Sequence, residues 1–177
     1  MKPILSTSLL AAAMLVLAAP AQAQLSNKSD APIDVTADEY EIIQSACRTT
    51  WTGDAEAVQA DSRLRARVLR TFMSQTTKPG SAEKQCGDLN RLEAEGSVYY
   101  VTPQQRVRGD NAVYDAASET ITITGDVIAV QDQNVTRASR IVYNVKTGEA
   151  RVTGTAKGRN AAGRPRAVLY PSKKTTP

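Results

Sequence analysis

A repeat of 29 residues constrains this chain more than any other feature. Laying residues 96–124 over 125–153 makes eight of the 29 positions identical, where chance gives roughly two. The identities are Gly96/Gly125, Val98/Val127, Val101/Val130, Gln104/Gln133, Arg108/Arg137, Val113/Val142, Tyr114/Tyr143 and Thr124/Thr153. Asp115/Asn144 and Ile123/Val152 match conservatively, and Gly154 opens a third turn in the same register. An earlier copy begins at Gly53, 43 residues before Gly96, so about 14 extra residues separate these two copies. That insertion, about 72–88, contains Lys78-Pro79-Gly80 and Cys86 and reads as a loop.

Within each unit the period is two. Ile121-Thr-Ile123-Thr is the alternation of a half-buried strand, and it runs through Gly125 into Val127-Ile-Ala129-Val. Asp132-Gln-Asn134 then supplies a turn, Ile141-Val-Tyr143 a second strand, and Lys146-Thr147-Gly148 another turn. Glycine inside a strand marks a bulge or sharp bend. Each unit is therefore a pair of short strands with a glycine bend, and such units bury their apolar faces only by stacking. The expectation is an elongated all-β stack of roughly a dozen or more strands. Residues 57–72 could read as a helix, but Arg63, Arg65 and Arg67 alternate with Leu64, Ala66 and Val68 in repeat register, so strand is expected.

Composition narrows the chemistry. The chain has no histidine, which removes Ser-His-Asp and Cys-His catalysis and nearly every zinc or haem site. No other nucleophile or paired-carboxylate motif stands out, so an enzyme is not expected. One Phe and one Trp in 177 residues leave the core to Val, Ile, Leu and Ala, which suits β-structure. Residues 1–23 have the form of a secretory signal peptide. Lys2 precedes an apolar run, and Ala21-Gln22-Ala23 offers a small-x-small cleavage site. Removal leaves 154 residues of formal charge +3 in an oxidising, extracytoplasmic compartment. Nucleic-acid binding is set aside on charge, aromatic content and compartment. Cys47 and Cys86 are the only cysteines, 39 residues apart. In such a compartment a structural disulfide is favoured over two separate thiols, and without a CxxC spacing a redox role is disfavoured.

The segment from Gly125-Asp-Val through Gln131-Asp-Gln-Asn-Val135-Thr-Arg-Ala-Ser-Arg-Ile141-Val-Tyr-Asn144 to Thr147-Gly148 resembles the repeat of the OstA-like family. Pro32-Ile33-Asp-Val35-Thr-Ala37-Asp38 is similar to the opening strand of its soluble periplasmic member, and Arg166-Ala-Val-Leu-Tyr-Pro171 to its closing strand. The resemblance implies a twisted, open β-jellyroll over residues 24–170, with 171–177 as a flexible tail. It implies periplasmic carriage of lipopolysaccharide through an apolar groove, with no cofactor. It also implies end-to-end assembly with further copies, with an LptC-like component of the inner-membrane transport complex and with an LptD-like outer-membrane translocon. Cys47, Cys86 and the insertion depart from the family pattern.

Alternation and repeat register nominate the groove face: Leu69, Val98, Tyr100, Ala112, Tyr114, Ile121, Ile123, Val127, Ala129, Ile141, Tyr143 and Val152. The resemblance adds Ile33 and Val35. An acyl chain leaving water gains about 0.8 kcal/mol per buried methylene, with no specific ligand atom required. The same stripe is also what a closed sandwich core looks like, so a structural or adhesive β-repeat protein is the alternative, as is another periplasmic lipid carrier. Arg63, Arg65, Arg67, Arg106, Arg108, Arg137 and Arg140 fall on the opposite face. They read either as a solvated strand face or as contacts to lipid phosphates. Open edges recruit strands, which nominates 33–35 and 167–170 as docking edges, with Pro32 and Pro165 placed to blunt them.

Overall fold

The period-two segments are strands, and they run straight through the repeat glycines. A computed structural model describes residues 32–77, 80, 84–159 and 161–171; the expected leader 1–23 and tail residues 172–177 lie outside it. Among the described residues ten strands form one antiparallel sheet. They are β1 (Asp34–Thr36), β2 (Glu39–Ile43), β3 (Arg48–Gln59), β4 (Ser62–Thr77), β5 (Lys84–Val101), β6 (Gln105–Asp115), β7 (Thr120–Gln131), β8 (Asn134–Asn144), β9 (Ala150–Thr153) and β10 (Arg166–Val168). A 3-10 turn, Gln44–Ala46, sits between β2 and β3. Ten strands form, fewer than the dozen expected, because six of them continue through the bend and each serves both halves of the fold.

The bend is one continuous line. Register breaks occur between Thr52 and Ala55, Arg65 and Val68, Glu95 and Val98, Arg108 and Asn111, and Thr124 and Val127, in five successive ladders. Gly53, Gly96 and Gly125, the repeat glycines, lie on it with φ of 84°, 80° and 104°. At Gly125 a side chain is excluded twice over: the dihedral suits only glycine, and a Cβ would fall on the Asp110 carboxylate. Every long strand thus contributes one segment to each of two arms. In one arm β1 flanks the C-terminal half of β3 and β10 flanks the N-terminal half of β8. In the other, β2 and β9 flank the remaining halves of the same strands. Each arm is eight segments wide and the sheet does not close, giving an open twisted β-jellyroll.

The insertion is a hairpin extension where a loop was expected. β4 and β5 stay paired outward through Met73 with Leu89, Gln75 with Cys86 and Thr77 with Lys84. Its flank is fastened to the 3-10 turn by the Cys47–Cys86 disulfide, Cα–Cα 5.4 Å. The Met73 amide donates to the Cys47 carbonyl at 2.9 Å, and Gln75 Nε2 to the Ser45 carbonyl at 3.0 Å. Backbone pairing, though broken in register on either side of Met73, explains why the extra residues extend a ladder: a long polar loop would leave more of those groups to solvent.

Candidate functional site

Cross-strand partners share a face, so the ladders place side chains in rows across the strands. In one arm the inner row reads Tyr40, Trp51, Leu69, Ala94, Ala112, Ile123, Ile141, Val152, one residue from each of the eight segments. A shorter row beside it, nearer the turns, reads Leu92, Tyr114, Ile121, Tyr143, Ala150. In the facing arm the row is Val35, Ala57, Leu64, Tyr100, Val107, Ala129, Thr136, Ala167. Against the bend lie the opposed pairs Ala55/Ala66, Val98/Gly109 and Val127/Ala138. The rows carry no charge, and no buried residue among those described is polar or charged.

The residues expected to line a groove distribute along this interior by depth. Leu69, Val98, Ala112, Ile123, Val127 and Ile141 belong to the buried cluster, and Val35, Ile121, Ala129 and Val152 pack against it. Tyr143 is buried as well. Small residues hold the bend and larger ones the mouth, so the space between the arms widens outward. There a cavity of about 230 Å³ opens, lined by Ile33, Ala57, Leu64, Tyr100, Leu92, Tyr114, Ile121 and Val145, with Gln59, Ser62 and Arg63 at its lip. Ile33, 58 % exposed, is at this rim and not within the interior. An apolar cavity of about 150 Å³ holds a benzene ring, so this one accommodates a length of hydrocarbon chain.

Repeat reasoning missed several lining residues for an identifiable reason. Leu92 and Ala94 precede Ile121 and Ile123 by the same 29 residues, so starting the repeat four residues before Gly96 would have found them. Leu64 and Ala66 carry the inward half of the arginine alternation in β4. Val145 lies in a turn and had no periodic signal.

Burial makes the mouth a poor place for charge. Tyr100 is pushed up from the ordinary phenol range by desolvation, only partly offset by a hydrogen bond with Ser62, and nearby Tyr143 adds to the rise. On the outer face the arginines find carboxylates. Arg63 and Arg65 share Glu56 Oε1 at 3.1 and 2.8 Å, and Arg108 meets Asp126 at 2.6 Å. Arg70 meets Glu95 at 2.8 Å, which holds that carboxyl below its usual range. No set of three or more Cys, Asp or Glu residues that could hold a metal ion occurs among the described residues. No helix there is long and apolar enough to cross a membrane.

The chain matches the family described as LptA/(LptD N-terminal domain) LPS transport protein over residues 34–149. It is 27% identical over 150 residues to an uncharacterised protein of Rhizobium meliloti (strain 1021), covering 84% of this chain and 80% of that one. Its fold is similar to the crystal structure of LptH from Pseudomonas aeruginosa, the LptA-homologous periplasmic component of the lipopolysaccharide transport device. The TM-score is 0.63 at 17% identity, over 80% of this chain and 96% of that one.

Proposed function

Because the chain belongs to the LptA and LptD N-terminal-domain family of lipopolysaccharide transport proteins, we propose that it is a periplasmic conduit whose groove holds the acyl chains of lipopolysaccharide. The observation that carries this reading is the uncharged inner rows, apolar but for Thr136, which run the full width of the sheet and end at strands left open on both sides. Each acyl methylene seated there gains about 0.8 kcal/mol, and the gain is nearly the same at every position along the row. A lipid held this way slides, because no polar contact singles out one position. The residues proposed to touch it are Ile33, Val35, Leu69, Val98, Tyr100, Ala112, Tyr114, Ile121, Ile123, Val127, Ile141, Tyr143 and Val152.

The open ends supply the route onward. Strand addition at β1–β2 and β9–β10 would join the groove to further copies, to an LptC-like component on the inner-membrane side and to an LptD-like component on the outer-membrane side. Site-specific photo-crosslinking tests the groove. A photoreactive residue at Tyr114 or Tyr143 should label lipopolysaccharide in cells, and one at outward-facing Val113 should not. Equal labelling from both faces, or none from the inward pair, would leave a closed structural core as the better account.

A further inference from the structure

The two arms differ on their outer faces. In the arm flanked by β1 and β10, the residues on either side of the inner row Val35 to Ala167 point outward, and they change character strand by strand. β4 and β6 carry arginine pairs, Arg63 with Arg65 and Arg106 with Arg108. The strands beside them, β5 and β7, carry apolar pairs, Tyr99 with Val101 and Ile128 with Val130. β8 and β10 carry one of each kind, Arg137 with Val135 and Arg166 with Val168. From β4 to β8 these ten outward positions are five arginines and five apolar residues. The carboxylates of the two rows, Asp34 and Glu56, stand apart on β1 and β3. In the other arm the same five strands turn out Arg70 and Arg140 against Glu93 and Glu95, with valine, threonine and asparagine between.

Neither ordinary use of an outer face accounts for the first pattern. A solvated sheet face is polar, whereas here Tyr99 and Val168 are 48% and 40% exposed among the arginines. Charge that guards against stray pairing belongs on edge strands, and β4 to β8 are interior to this arm. Internal pairing leaves the charge in excess. Arg63 and Arg65 share Glu56, and Arg106, Arg137 and Arg166 are in no ion pair among the described residues. Arg137 and Arg166 are directly opposed, which destabilises a sheet unless an anion meets them.

We propose that this outer face docks on an anionic phospholipid surface. Neighbouring strands lie about 4.8 Å apart, so the arginine pairs of β4 and β6 stand about 10 Å apart with an apolar pair between them. Guanidinium forks suit phosphate, and their stems lie along the hydrocarbon beside them. Tyr99, Val101, Ile128 and Val130 then meet the boundary beneath the headgroups, as the apolar face of a surface-bound amphipathic element does. A soluble polyanion would satisfy the arginines and leave the apolar strands uncovered. The interleaving of both chemistries therefore selects a lipid surface. The groove lies on the reverse side of these strands, so the inference stands apart from the conduit reading.

Flotation of the disulfide-bonded mature chain with lipid vesicles tests this. Vesicles of phosphatidylcholine with about 30% phosphatidylglycerol should carry the protein with them, and pure phosphatidylcholine should not. Both offer the same acyl chains, so uptake of lipid into the groove would not discriminate between them. A basic residue at an anionic membrane is worth about fivefold in affinity, so Arg106→Gln with Arg137→Gln should weaken binding about 25-fold. Arg140→Gln with Arg151→Gln removes the same charge from the outer face of the other arm and should leave binding unchanged within about twofold. Tyr99→Thr with Val168→Thr keeps the charge and suits a strand. It should weaken vesicle binding about tenfold and leave binding of soluble polyphosphate as it was. Each variant should keep the circular dichroism spectrum of the wild type. No flotation with anionic vesicles, or equal loss from the two arginine pairs, overturns the proposal. So does full vesicle binding by the threonine variant, which would make the face a site for polyanions in general.

Discussion

Replacing both cysteines with serine tests whether the extra hairpin is part of the cooperative fold. Cys47 and Cys86 close a loop of 39 residues. In the chain-entropy treatment that closure stabilises the folded state by about 4 kcal/mol, through the conformations it denies to the unfolded chain. The bond joins the corner between β2 and β3 to the return strand of the hairpin, so it ties an end strand of the sheet to the ladder of β4 and β5. Two hydrogen bonds at the same junction, Met73 to Cys47 and Gln75 to Ser45, survive the substitution. The folded geometry should therefore persist and the loss appear in stability. For a domain of this size about 1 kcal/mol moves the melting temperature by about 2–4 °C, so the Cys47→Ser/Cys86→Ser variant should melt about 8–16 °C lower. Calorimetry of the two proteins, with reduced wild type as a third sample, measures it. Reduced wild type should match the double variant. A shift below about 2 °C would refute the reasoning, since the hairpin would then already be open in the state from which the domain unfolds.

Three further outcomes follow from the interior and the bend. Leu69 is 1% exposed within an eight-residue inner row, so Leu69→Ala should cost about 3–5 kcal/mol in urea unfolding. Gly125→Ala should cost about 1–3 kcal/mol through its dihedral. Adding Asp110→Ala should recover only part of that loss in the same assay, because it removes the contact and leaves the backbone strained. Tyr100 has a raised pKa, so the fold favours its neutral phenol. Stability present below about pH 10, where the unfolded phenol ionises, is lost as pH rises through the folded value. Tyr100→Phe should flatten the alkaline fall in melting temperature, and an unchanged alkaline limb would refute the assignment.

The strand content, the bend and the inward face were legible because each leaves a period in the sequence. Gly53, Gly96 and Gly125 recur where the backbone must turn left-handed, and Ile121, Ile123, Ile141 and Tyr143 alternate because one face is buried. What was not legible depended on pairing between distant segments. The register of Trp51 with Leu69 and of Leu69 with Ala94 is fixed by ladders, and no local pattern encodes it. The insertion looked like a loop because Lys78-Pro79-Gly80 is turn chemistry; the β4–β5 pairing that flanks it in sequence involves polar residues such as Gln75 and Gln85 with little alternation to mark it. The outer arginines were ambiguous for a related reason. The carboxylate that Arg63 meets, Glu56, lies seven residues away across a hairpin, a pairing that no local pattern encodes.

If, as proposed, the interior yields to a moving lipid, it cannot also be filled to the density that stabilises an ordinary core. The most deeply buried large side chains are only Leu69, Val98 and Val127, and alanine occupies both sides of the bend. Stability must then come from elsewhere. The exposed ion pairs of the outer face contribute little, at about 0–1 kcal/mol each. The ladders contribute more reliably: paired strands satisfy their backbone groups whether or not the groove is full, so emptying it removes dispersion contacts and leaves the hydrogen bonds intact. The disulfide adds a second contribution that is independent of groove occupancy, because it acts on the unfolded chain. On the conduit reading, a fold held by backbone pairing and a covalent tie keeps its strands paired while hydrocarbon enters or leaves its inner face.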